Sequence, residues 1–304
     1  MKTTPLTGLV AAAHTPFNKD GSLNLEAVES QALHFIKNGM KVAFIGGSTG
    51  EVHSLNVDER IRLTQRWLDI TRGSELDVIV HVGSNCLLDA RTLAAHAQKH
   101  GARAMSAFAP SYFKPKTAGA LVDCCAEIAG AAPELPFYFY DIPSMTGVNL
   151  SMPEFLELGC ARIPNLVGIK WTNSDLYSYQ VCQHLPGDFD LPWGNDEYLI
   201  AALAVGARGG VGSSYCFAAQ IYHRVMKAFA AGDMAAARKE QYCSVQLIKV
   251  LYGYGYMGAA KATMKMLGVD VGPARLPNTN PDVEQVARLR ADLEKIGFFD
   301  WIKP

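Results

Sequence analysis

The sequence predicts an α/β protein, a (β/α)8 TIM barrel followed by a C-terminal helical extension. Three observations predict it. Short apolar runs recur along the chain, amphipathic segments with helical spacing separate them, and one turn pattern repeats where a helix gives way to a strand.

The strand-like runs lie near residues 8–14, 42–46, 77–82, 104–109, 136–141, 166–170, 189–193 and 208–212, eight in all, spaced by very roughly 25–30 residues. Between them the apolar positions take helical spacing, as in Val28, Ala32, Phe35 and Ile36. Helix starts are marked by "NVDE" (56–59) and "SMPE" (151–154), each a side-chain acceptor followed three residues later by a glutamate, the form of a capping box. The repeated turn appears in "NGMKVAFIGG" from 38, "HGARAMSAFAP" from 100 and "VGARGGVGSS" from 205. In each, a glycine able to take positive φ ends a helix and a short strand follows. Eight such units assign residues 1–215 to the barrel. Residues 216–304 then hold the last barrel helix and the extension, with helices in "GDMAAARKEQYCSVQLIKVLYGYG" and "PDVEQVARLRADLEKIGF". The alternative, an open doubly wound sheet, would carry a glycine-rich fingerprint after its first strand, and "AAAHTPFNKDG" has none.

Composition narrows the functional classes. Of 304 residues, 49% are hydrophobic and 19% charged, the balance of a globular protein that buries a sizeable core. Net charge is -1 with both signs interspersed, so no basic stripe marks a nucleic-acid or anionic-membrane partner, and a small molecule is the expected one. Seven cysteines without C-x-x-C spacing read as reduced thiols of a cytoplasmic protein, not as a disulfide framework or zinc site. The N-terminal "MKTTPLTGLVAAAHTPF" resembles a weak signal sequence, but its apolar stretch is short and broken by Thr and Pro. No run reaches the ~20 apolar residues of a membrane span.

In a parallel barrel the active site lies at the carboxyl ends of the strands, so the residues after each apolar run carry the chemistry. They are Thr15, "GGSTGE" (46–51), "PSY" (110–112), "YDIPSMTG" (140–147), Lys170 with Thr172, "GNDE" (194–197) and "GSSY" (212–215). Lys170 ends the apolar run Leu166-Val167-Gly168-Ile169. Apolar walls disfavour an ammonium and make the neutral amine available as a nucleophile toward a carbonyl; the competing reading is a lysine that snorkels outward from a strand end. Tyr140, at the end of the neighbouring strand, is suited to relay a proton as an imine forms. Ser48 and Thr49 offer adjacent hydroxyls on a glycine-flanked turn, a nest for a carboxylate that lacks the Lys-Ser/Thr ending of a phosphate loop. Asp196 and Glu197 are either favourable acids at a helix start or acceptors for the hydroxyls of a polyol, to which Gly212 and Ser213 would add contacts. His96 and His100 lack the glutamate of a metalloprotease helix, and no metal site is expected. The aromatic run "LYGYGYMG" (251–258) is expected to pack, with one tyrosine available to the pocket.

At "GGSTGE", "YDIPSMTG" and "VGIKWTNSDL" the chain resembles the pyruvate-dependent class I aldolase family that contains dihydrodipicolinate synthase and N-acetylneuraminate lyase. The resemblance runs from about Gly8 to the "GPARLP" segment at 272–277. It implies that Lys170 forms a Schiff base with the keto carbon, that Tyr140 shuttles the proton, and that Ser48 and Thr49 hold the pyruvate carboxylate. Tyr112 resembles the family tyrosine donated across a dimer interface to complete a hydroxyl relay through Ser48, which implies a homotetramer. The iminium is the electron sink, so no metal or organic cofactor is needed.

Within the family, the place where dihydrodipicolinate synthases carry an arginine for the second substrate's carboxylate holds Met145, which cannot make that ion pair. The "GNDE" and "GSSY" segments resemble the sialic acid lyases, in which Gly194, Asp196, Glu197 and Ser213 would contact the hydroxyl tail with Thr172 nearby. The implied reaction is reversible cleavage of N-acetylneuraminate to N-acetylmannosamine and pyruvate. Asp141, Met145 and Trp171 depart from the usual lyase residues, and would reshape the pocket toward a shorter 2-keto-3-deoxy sugar acid or another 4-hydroxy-2-keto acid. A non-catalytic keto-acid-binding protein on the same fold is a further reading; a third makes Lys170 a pyridoxal phosphate lysine, but no phosphate loop accompanies it.

Overall fold

The computed structural model describes residues 5–303. Seven parallel strands, β1 (Gly8–Ala12), β2 (Val42–Ile45), β3 (Asp77–His81), β4 (Ala104–Phe108), β5 (Phe137–Asp141), β6 (Leu166–Trp171) and β7 (Gly209–Gly212), form one curled sheet in the order β6-β5-β4-β3-β2-β1-β7. The helices are α1 (Ala27–Lys37), α2 (Val57–Thr71), α3 (Leu87–Lys99), α4 (Ala118–Gly130), the single turn α5 (Pro143–Thr146), α6 (Met152–Arg162), α7 (Leu176–Gln183), α8 (Leu199–Ala204), α9 (Tyr215–Ala230), α10 (Met234–Tyr252), α11 (Tyr256–Met266), α12 (Val283–Ile296) and the single turn α13 (Phe298–Trp301). The apolar stretch that resembles a signal sequence is β1; residues 1–4 before it lie outside the described residues.

The run at 189–193, expected to be a regular strand, is not one. It meets its neighbours through isolated bridges, Gly168 to Asp190, Trp171 to Trp193 and Trp193 to Gly210. Its backbone still bonds to both sides: Ile169 N donates to Asp190 O (3.0 Å) and Trp171 N to Pro192 O (2.9 Å), while Trp193 N donates to Gly209 O (2.9 Å). Pro192 has no amide to give, which interrupts the ladder. The Asp190 carboxylate steadies the segment from below, accepting from Leu6 N and from the Tyr138 hydroxyl, both at 2.8 Å.

Strand side chains alternate between two cores. Val10, Phe44, Ile79, Phe108, Tyr140 and Val211 pack inside the curl, whereas Ala11, Ile45, Val80, Phe139 and Trp171 pack outward with the helices. The turn glycines of the repeat, Gly39, Gly101 and Gly206, all take left-handed φ (77°, 80° and 96°). Asn56 caps α2 with a reciprocal Asn56–Glu59 box, and the Ser151 hydroxyl accepts from the Glu154 amide at the start of α6. Both predicted C-terminal helices form, as α10 and α12, with α11 between them. No helix among the described residues is long and apolar enough to cross a membrane.

Candidate active site

A register irregularity aims the lysine. Phe137 pairs with Leu166 but Tyr138 pairs with Gly168, so β6 spends one extra residue at Val167. Tyr140 therefore stands beside Lys170, where an unbroken register would have set Ile169. Gly168 permits this, because a Cβ there would run into the backbone of Asp190.

Lys170 is 4% exposed. Its amine lies 3.5 Å from the centroid of the Tyr140 ring, 5.3 Å from that of Phe44, and donates to Thr172 Oγ1 at 3.2 Å. The Tyr140 hydroxyl and Ser48 Oγ are 3.3 Å apart. Thr15 Oγ1 donates to Gly50 O at 2.6 Å, so the hydroxyl after β1 holds the Ser48–Thr49 turn in place. Behind Tyr140 packs His81, its ring centroid 5.9 Å from that of Tyr140 and 4.3 Å from that of Phe108. Burial holds this imidazole well below its ordinary value, so it is a neutral wedge.

These groups open into a cleft of about 530 Å³ at the carboxyl ends of the strands. Of the residues singled out in the sequence, Ser48, Thr49, Tyr140, Lys170, Thr172, Gly194, Asp196, Glu197 and Ser213 line it. Asp196 is buried, and its carboxylate accepts from Ser214 N (2.8 Å) and Ser214 Oγ (2.5 Å). Burial pushes its carboxyl up to about 6, against the pull of those two bonds. Ser213 Oγ lies 2.7 Å from the Tyr256 hydroxyl. Gly194 brings the chain against Thr172, since a Cβ would collide with Thr172 Oγ1.

Two expected residues are not in the cleft of this chain. Gly212 backs it: the space of its missing Cβ is taken by Asp196 Oδ1 and the Tyr215 ring, so its part is to admit the carboxylate. Tyr112 is 78% exposed and stacks edge-on with Phe113, away from Tyr140 and Ser48. Of the three departures, only Met145 lines the cleft. Asp141 points outward, accepts from Asn173 Nδ2 at 3.0 Å and is raised to about 6 by burial, and Trp171 is buried against Tyr179. Sequence reasoning missed the rest of the far wall, Met257, Pro277, Asn278 and Thr279, and left open which tyrosine of "LYGYGYMG" would reach the pocket; both Tyr252 and Tyr256 do. Their i, i+4 spacing was a usable signal, whereas the loop at 277–279 offered none.

A cleft with hydroxyl and acidic side chains among its walls and a buried lysine over a tyrosine ring, at the carboxyl ends of a curled parallel sheet, has the makings of a TIM-barrel-like enzyme that works on a carbonyl. The chain belongs to the dihydrodipicolinate synthetase family, which it matches over residues 5–296. It is 36% identical over 300 residues to the N-acetylneuraminate lyase of Gallus gallus, covering 97% of each chain. With N-acetylneuraminate lyase A of Xenopus laevis it shares 39% identity over 276 residues, 90% of each. Among solved structures, the N-acetylneuraminate lyase of Proteus mirabilis superposes with a TM-score of 0.94 at 36% identity, covering 97% of this chain and all of that one.

Proposed function

We propose that this enzyme cleaves N-acetylneuraminate reversibly to N-acetylmannosamine and pyruvate through a Schiff base on Lys170. The observation that carries the reading is the inward-facing Lys170, 4% exposed, opening beside the Tyr140–Ser48 pair into a cleft whose other end is acidic and hydroxyl-rich. The amine adds to the keto carbon of the open-chain sugar, and loss of water leaves an iminium. The bond between carbons 3 and 4 then breaks as the 4-hydroxyl loses its proton, giving the aldehyde and an enamine. Protonation of the enamine at carbon 3 and hydrolysis release pyruvate and the free lysine. Tyr140 moves the protons, with its hydroxyl oriented by Ser48. Ser48 and Thr49 hold the carboxylate, and Thr172, Asp196, Glu197 and Ser213 bind the hydroxyl tail, Gly194 and Gly212 giving them room. The iminium supplies the electron sink, so the reaction requires no metal or cofactor.

Asp190–Trp193 serves as the short eighth strand of a closed barrel, and α9 as its eighth helix. The extension after it, with α10, α11 and the 277–279 loop, forms the sugar-side wall. Tyr112, exposed in one chain, is donated to the cleft of a second copy in a homotetramer. Seven unbridged cysteines support a cytoplasmic setting. With Asp141 and Trp171 turned outward, the case for a shorter sugar acid narrows to Met145. A pyruvate-release assay on N-acetylneuraminate and 2-keto-3-deoxygluconate decides it: release from the former supports the proposal, and release from the latter alone overturns the substrate.

A further inference from the structure

Glu51 closes the Ser48–Thr49 turn in the left-handed region (φ 55°, ψ 43°), a conformation that residues with a Cβ rarely adopt. Its carboxylate is fully buried and meets the Lys261 ammonium at 2.6 Å. The other two donors of Lys261 go to the carbonyls of Thr15 and Pro273, both at 2.8 Å. The second carboxylate oxygen accepts from Arg275 N (2.8 Å) and Asn278 Nδ2 (3.3 Å). One side chain thus ties together three segments that face the same cleft. They are the turn of Ser48 and Thr49, helix α11 with Tyr256 in its first turn, and the loop of Asn278.

A buried ion pair seldom stabilises a fold more than apolar packing of the same volume would. Strained backbone, likewise, persists where its surroundings hold it and tends to sit at functional sites. Here both coincide two residues from Thr49. We propose that Glu51 and Lys261 are positioning residues: their ion pair sets the carboxylate-binding turn against the far wall and so fixes where pyruvate lies relative to the Lys170 amine. The proposal rests on the reading of Lys170 and Ser48–Thr49 given above.

Borohydride trapping of pyruvate, titrated against pyruvate concentration and paired with thermal melting, tests it. Glu51→Gln strands a buried ammonium and should melt lower; Glu51→Gln/Lys261→Met removes both charges and should recover much of the loss. The double variant is expected to reach the full extent of adduct but to need about tenfold more pyruvate for half-saturation, or higher. Glu51→Asp, which keeps both charges and draws the turn by one methylene, should shift half-saturation in the same direction without loss of fold. Wild-type half-saturation in both folded variants would overturn the proposal and leave the pair purely structural. A double variant that does not fold leaves the decision to Glu51→Asp. Failure of the wild type itself to trap pyruvate would overturn the Lys170 reading and this inference with it, a result read without any variant.

Discussion

Asp196 titrates where an enzyme assay can see it. Its carboxyl, ordinarily near 3.8, is raised to about 6 by burial, so the folded protein binds a proton there that the unfolded chain has released. Its contribution to stability is therefore present below pH 3.8 and is lost as pH rises through about 6. For binding the sign is opposite, because only the ionised form accepts hydroxyl hydrogen bonds through both oxygens. KM for N-acetylneuraminate should rise as pH falls through about 6, and Asp196→Asn should flatten that profile while raising KM at neutral pH; steady-state kinetics across pH 5–8 checks both. Tyr140→Phe separates ring from hydroxyl. The ring beneath the Lys170 amine stays and the bond to Ser48 is lost, so kcat should fall by about a hundredfold or more, as expected for a lost acid–base group. A mutant with wild-type kcat would move the proton shuttle elsewhere.

At the scale of elements, the extra residue in β6 decides whether the lysine meets the tyrosine. Gly168→Ala drives a methyl into the Asp190 backbone, and should lower Tm and the extent of pyruvate trapping together, since both depend on the β6 register. Circular dichroism melting with trapping on the same sample is the check. Most of the elements were legible in the sequence, because strands buried on both faces read as unbroken apolar runs between glycine-ended helices. The irregularity was not legible: Leu166-Val167-Gly168-Ile169 looks the same whether or not one residue bulges. The 189–193 run was legible only in part, its apolar character being that of a strand while Pro192 denies it a full ladder and leaves it paired through isolated bridges. Residues after strand ends identified most of the cleft wall, since topology alone collects them on one face. Tyr252, Tyr256, Asn278 and Thr279 come from beyond the last strand of the sheet, and only tertiary packing of α10, α11 and the following loop brings them over the mouth.

For the whole molecule, exposed Tyr112, Phe113 and Leu88 leave apolar surface that a single chain does not cover. Sedimentation velocity should give a homotetramer, and a fully active monomer would remove Tyr112 from the proposed site. The same scale joins the two halves of the cleft, since the Ser48–Thr49 turn belongs to the second βα unit and the far wall to the C-terminal helices and loop, held together by Glu51, Lys261 and Arg275. All of this presupposes that one amine does the chemistry. The direct test is peptide mapping by mass spectrometry after borohydride reduction with pyruvate, on the wild type and on Lys170→Ala. The account predicts a single reduced adduct on the peptide containing Lys170, absent from the variant; no adduct, or one on another lysine that survives in the variant, would contradict it.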